Sequence, residues 1–231
     1  MVDKAFETLQ SYDWGDDRGA LQPIDDALVA TQHHAAGRKD LEDRLIAVLQ
    51  SNATRNGKDF VCRKLKVIGT EASVPALAAM LSDANHTHMA RYALESMPSA
   101  AAGRALREAL PKLTGDARVG VIGSLGVRQD ESCVAALASL LGDEDGLTAI
   151  SAARALAAIR TAEAAKALAS AKPHRAAPRA IADASLACAE TLLAAGNKIA
   201  ALAIYKRLSK YDPPKLVKIA ATRGMLACAA K

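Results

Sequence analysis

Apolar positions recur along this chain in a fixed register. Leu77, Leu106, Leu137 and Leu168 follow one another at steps of 29, 31 and 31 residues. Each lies in an Ala-rich window: VPALAAML, GRALREAL, VAALASLL and AKALASA. Upstream of each lies a second apolar centre, at Leu65, Leu94, Ile122 and Leu156, offset by 12, 12, 15 and 12 residues. Self-similarity at a period of about 30 residues marks a protein of stacked repeats. The three extra residues of the third unit fall in a turn around Val127, Arg128 and Gln129, where chains accept insertions.

The pattern predicts paired helices over about 59–69 and 71–82, 86–97 and 99–112, 116–125 and 130–142, and 146–160 and 162–171. Gly69, Pro98, Gly126 and Gly142 stand where helices should stop. In the second helices, Val74, Leu77 and Leu81, and likewise Val134, Leu137 and Leu141, form a stripe that should bury against the neighbouring pair. Before the repeats, residues 1–58 read as an N-terminal helical cap region: a helix over Asp3 to Gln10, one with Pro23 in its first turn, and one entered at Asp40. The cluster Lys172-Pro173-His174-Arg175-Ala176-Ala177-Pro178 ends the four repeats at about 171. Residues 172–231 then read as a helical region continuous with the repeats, with helices near 179–195, 197–210 and 214–229.

Composition supports an all-helical reading. Of 231 residues, 53 are alanine and only 3% are aromatic, which suits thin layers of closely packed helices. No segment alternates as a half-buried strand does. No apolar run is long enough to span a membrane, and Met-Val-Asp-Lys-Ala-Phe lacks a signal peptide's apolar core. A soluble, cytoplasmic protein is the default expectation, although an exported chain already processed has the same appearance. Cys62, Cys133, Cys188 and Cys228 are far apart in apolar stretches and are expected to be reduced and buried. Charge is uneven. Residues 1–60 carry 7 basic and 11 acidic groups, residues 61–171 carry 12 and 11, and residues 172–231 carry 11 and 3.

Helix pairs of this length, with Asp83 and Asp143 after the second helix, resemble bacterial HEAT repeats over residues 59–171, most closely in LLGDEDGLTAISAARALAAI. The resemblance implies an all-α, right-handed α-solenoid of stacked antiparallel helix pairs. Ala149 stands where such units often carry a basic residue, so an Asp–Arg ladder is not expected and apolar packing should dominate. Gly196, Ala201, Tyr205, Asp212 and Pro213 have the spacing of a tetratricopeptide repeat's second half, while Ala189 and Leu192 depart from its first half. Residues 186–213 thus resemble a degenerate tetratricopeptide hairpin, with Leu202, Tyr205 and Leu208 packing on Leu186, Ala189 and Leu193. An apolar last helix (Leu216, Ile219, Met225, Leu226) predicts a piece of a longer solenoid, or an end that self-associates.

No catalytic constellation stands out. His33-His34 and His86-Thr87-His88 lack partners at zinc-ligand spacing, and Asp13, Asp16 and Asp17 lack the length and closing Glu of a calcium loop. Helix capping is the expected role of these acids. Trp14 beside Tyr12 is expected to plug the first helices. Gly120 and Gly123 follow a helix start rather than a strand, so they read as close-contact positions, not a phosphate loop. No metal, cofactor or catalytic residue is assigned.

The candidate partner contacts are cations. Arg104 and Lys166 share a column two units apart, Arg107 lies one turn from Arg104, and Lys206 and Lys210 lie in the basic C-terminal region. In HEAT-like stacks the second helices line the concave face, which implies a partly basic concave surface. The reading is a non-enzymatic scaffold that binds a protein or peptide there, within a larger chain or assembly. Nucleic-acid binding is the alternative, motivated by a pI near 9.1. The resemblance also admits base-excising enzymes and lyases of bilin-type cofactors, for which the residues offer no support.

Overall fold

The computed structural model describes residues 1–172, 174–210 and 214–229. Among these the regular structure is helical: fourteen α-helices, five short 3₁₀ turns and no strand. The chain packs as two units, Met1–Leu113 and Thr114–Lys231. The division falls between the second and third of the recurring helix pairs. Tyr211, the tetratricopeptide-like Asp212 and Pro213, Pro173 of the punctuation cluster, and Ala230 and Lys231 lie outside the described residues.

The first unit contains α1 (Val2–Ser11), α2 (Gln22–Ala30), α3 (Ala35–Gln50), α4 (Arg55–Ile68), α5 (Val74–Ala79), α6 (Thr87–Ser96) and α7 (Ala100–Ala109). Here α4 packs between α3 and α6, while α5 packs on α3 and α7. Helices with the same place in the repeat therefore stack on one another. Leu65, Leu77, Leu94 and Leu106 are all fully buried, one on each of α4 to α7. Helix α3 begins at Ala35 rather than at Asp40, because His34 caps it. Its Nδ1 accepts a hydrogen bond from the Gly37 N–H at 3.0 Å. Other starts follow the expected chemistry: Thr54 Oγ1 accepts from Gly57 N at 3.1 Å, and Ser99 Oγ from Ala101 N at 3.1 Å.

One carboxylate is buried in this unit. Glu42 of α3 accepts hydrogen bonds from the Thr70 N–H at 2.7 Å, the Thr70 hydroxyl at 3.0 Å and the Ser73 hydroxyl. It ties α3 to the start of the α5 segment. A buried carboxylate is tolerated only when donors replace the water it has lost.

The second unit contains α8 (Gly115–Val127), α9 (Val134–Ser139), α10 (Gly146–Ile159), α11 (Ala162–Ser170), α12 (Pro178–Ala194), α13 (Lys198–Lys210) and α14 (Lys215–Ala229). Helix α10 packs between α8 and α12, α11 packs on α9 and α12, and α13 lies against α12 and α14. Ile122, Leu137, Leu156 and Leu168 are again buried, one per helix from α8 to α11. The segments 70–83 and 130–143, 60 residues apart, are built alike. Thr70 Oγ1 accepts from Ala72 N, and Asp130 Oδ1 from Ser132 N, and each opens a 3₁₀ turn that runs into a six-residue α-helix.

The structure departs from the expected glycine roles in α8. Gly126 does not stop the helix, which continues to Val127. It is a close-approach position instead: a Cβ there would come within 2.9 Å of the Ala155 backbone on α10. Gly123, expected to be such a position, faces open space. The turn is made by Gln129, whose φ of 51° is in the left-handed region. One Arg–Asp pair adds to the apolar packing expected to dominate, with Arg118 reaching Asp143 at 3.0 Å.

The C-terminal helices enclose a separate core of Ala189, Ala201, Tyr205, Leu208, Val217 and Ala221. Ala201, rather than Leu202, holds the inner position beside Tyr205, with Leu186 and Leu193 partly buried around it. Helix α14 presses its backbone at Gly224 against the Tyr205 ring, where an added Cβ would fall 2.3 Å from Cζ. Gly224→Ala should therefore destabilise this unit by about 2 kcal/mol through overpacking. Thermal unfolding followed by circular dichroism checks this, and the Tyr205→Leu, Gly224→Ala double variant should lose less than the sum of its parts.

Candidate interaction surface

The sequence-predicted cations are distributed over three helices. In the first unit, α7 is held at Ser99 and buries Ala102, Gly103 and Leu106. This leaves Arg104 exposed and Arg107 half-buried one turn further on. A shallow groove of about 180 Å³ runs between α5 and α7, lined by Leu81, Ala105, Glu108 and Lys112, but neither arginine lines it. In the second unit, Lys166 is exposed on α11, a helix capped by Thr161 Oγ1 at 3.2 Å from Ala164 N. Lys206 and Lys210 are exposed one turn apart on α13, on either side of the buried Leu208.

The electrostatic character of the last two helices is stronger than those two lysines suggest. Helices α13 and α14 together carry Lys198, Lys206, Arg207, Lys210, Lys215, Lys218 and Arg223, and no acidic residue. Of these, only Lys206 and Lys210 were singled out in the sequence. The signal that finds the others is the run of acid-free helix, visible in the sequence once helix bounds are known. Nearby, a groove of about 470 Å³ between α10 and α12 is lined by Ile150, Arg154, Arg179 and Asp183.

In the first unit Trp14 is not a plug: it is 92% exposed. The loop satisfies itself through its carboxylates. Asp16 accepts from the Asp13 N–H at 2.7 Å, Asp13 from the Trp14 N–H at 2.8 Å, and Asp17 from the Gly19 N–H at 2.8 Å. Only Asp17 has the capping role expected of the acids, at the turn Arg18–Leu21, while Asp13 and Asp16 close the loop on itself and leave the indole outside. Trp14 borders a cleft of about 210 Å³ with Tyr12, Arg18, Asn56, Phe60, Arg63 and Lys64. Arg18 and Lys64 each stack on the Phe60 ring, 4.6 Å from its centre, and both pair with Asp25.

Two of the buried cysteines are poor nucleophiles. Burial pushes the Cys62 thiol up to about 12 and the Cys188 thiol up to about 11, so neither is a ready thiolate at neutral pH. Among the described residues no cluster of His, Cys, Asp or Glu could hold a metal ion, and no helix is long and apolar enough to cross a membrane. His86 Nδ1 lies 2.9 Å from Asp83 at the start of α6, and His34 is a helix cap. No protein-family model and no curated protein matches the chain.

Asp25 gives a pH signature for the cleft. Burial raises its carboxyl, but hydrogen bonds from Lys64 and Arg18 outweigh this and hold it below its ordinary value. A depressed carboxyl contributes stability above its unfolded pKa of about 3.9, and that contribution is lost as pH falls through the folded value. Asp25→Asn should cost on the order of 1 kcal/mol near pH 7, because the pair is partly solvated. The gap from the parent chain should close below about pH 4. Urea unfolding across this range checks it, and a gap independent of pH would contradict the assignment.

Proposed function

We propose that the chain is a HEAT-like helical-repeat scaffold. In this reading it is a right-handed α-solenoid of antiparallel helix pairs that ends in a tetratricopeptide-like hairpin. Three observations support it: the eight buried anchors, the packing of like helix on like helix within each unit, and the fully buried Ala201 and Tyr205. Its work is to bind a protein or peptide within a larger assembly, without catalysis. Second helices such as α7, with Arg104 and Arg107, and α11, with Lys166, contribute the concave face.

The observation that carries protein binding is the company the cations keep. Nucleic-acid surfaces interleave cations with exposed aromatic rings on which bases stack. On α13 and α14 the large exposed apolar side chains are Ile199, Leu216, Ile219 and Leu226, all aliphatic, while Tyr205 is buried. Cations beside aliphatics suit an acidic protein surface. Nucleic-acid binding remains the second reading because those two helices carry no acid.

Capture from a lysate of the source organism, with and without nuclease, separates the two. The full chain should retain a partner after nuclease treatment. The Lys206→Glu, Lys210→Glu variant should lose most of it, and Arg104→Glu with Lys166→Glu should weaken it. Partners that vanish with nuclease, together with salt-sensitive gel shifts, would instead support nucleic-acid binding.

A further inference from the structure

Helix α14 has two apolar faces and buries only one. Val217, Ala221 and Gly224 face inward, with Cys228 and Met225 packed around the same core. Leu216, Ile219 and Leu226 lie on the opposite side of the helix and are 77%, 47% and 68% exposed. A single exposed leucine is ordinary, but three large aliphatics on one face of one helix form a patch. A helix that is apolar on both sides is normally covered on both sides. The patch is set in positive charge. Lys215 and Lys218 lie along its edge, Arg223 interrupts it between Ile219 and Leu226, and all three are exposed. No carboxylate on α13 or α14 neutralises them.

We infer that the outer face of α14 docks an acidic amphipathic helix of a partner protein, its leucine-type stripe on Leu216, Ile219 and Leu226 and its carboxylates on Lys215, Lys218 and Arg223. Charge selects this occupant. A second copy presenting the same face would set like charges against each other, which disfavours association. A membrane surface is a poorer fit, because an arginine splits the patch and it has no interfacial aromatic anchor. Helix-on-helix docking of this kind reads as apolar anchors at helical spacing with a charged rim. The inference rests on the protein-binding reading and names the chemistry of that partner.

The test uses the full chain and two fluorescein-labelled peptides of about 15 residues, the length of α14. Both carry the same leucine stripe, one flanked by glutamate and the other by lysine. The glutamate peptide should bind saturably with a Kd of about 10–100 μM, at least about tenfold tighter than its twin. Binding should weaken as salt rises. Ile219→Glu with Leu226→Glu should abolish it while leaving the circular dichroism unchanged, since both side chains are exposed. Equal binding of the two peptides overturns the proposal, as does binding that survives the double variant. So does a concentration-dependent dimer in sedimentation that the double variant dissolves, or binding to phosphatidylserine-containing vesicles in preference to the glutamate peptide. If the peptides fail while Lys206→Glu, Lys210→Glu still abolishes nuclease-resistant capture, this inference falls and the protein-binding reading stands. If capture fails as well, both fall.

Discussion

The burial of one large aliphatic side chain on each helix from α4 to α11 is the constraint on which the rest depends. Leu65, Leu77, Leu94 and Leu106 in the first unit, and Ile122, Leu137, Leu156 and Leu168 in the second, are almost wholly removed from water. Each such side chain contributes about 2 kcal/mol of transfer free energy. The five anchor-bearing helices of ten residues or fewer could not hold their shape alone. The surrounding alanines matter as much, because they let helices approach. At Gly126 against Ala155 the two helices are so close that even a methyl group would not fit.

Polar groups in this fold fasten and do not drive. Hydroxyls and carboxylates close the helix starts at Thr54, Ser99, Asp145 and Thr161, satisfying N–H groups that the helix itself leaves open. Glu42 and the Arg118–Asp143 pair reach between segments far apart in sequence. They give direction to packing that alanine and leucine alone would leave degenerate.

The helical architecture was legible because the anchors repeat and because glycine, proline and capping residues punctuate them. The bounds of α12 to α14 came within a few residues, since apolar stripes and the Lys172–Pro178 cluster mark them. The errors have particular causes. His34 is a rare cap, so α3 was started too late at Asp40. Gly126 looks like a helix stop, but what it meets on α10 cannot be read from local sequence. Trp14 is expected to plug the first helices, yet the carboxylates around it fold the loop on itself and leave the ring outside. For the surface, sequence supplied the net charge of the C-terminal region. The two faces of α14 needed the structure, because leucines at 216 and 226 look the same whether they face core or solvent.

The central claim is that, within a unit, each helix is held by the helices it packs on and not by one core shared by the whole unit. Stability in such an arrangement should fail locally. Native-state hydrogen exchange on Leu156→Ala tests it most directly, because Leu156 lies in α10, between α8 and α12. The account predicts that amide exchange accelerates by about a hundredfold in α8, α10 and α12, while α14 keeps its protection. Uniform acceleration across α8 to α14 would mean that the unit opens as a single body, and would contradict it.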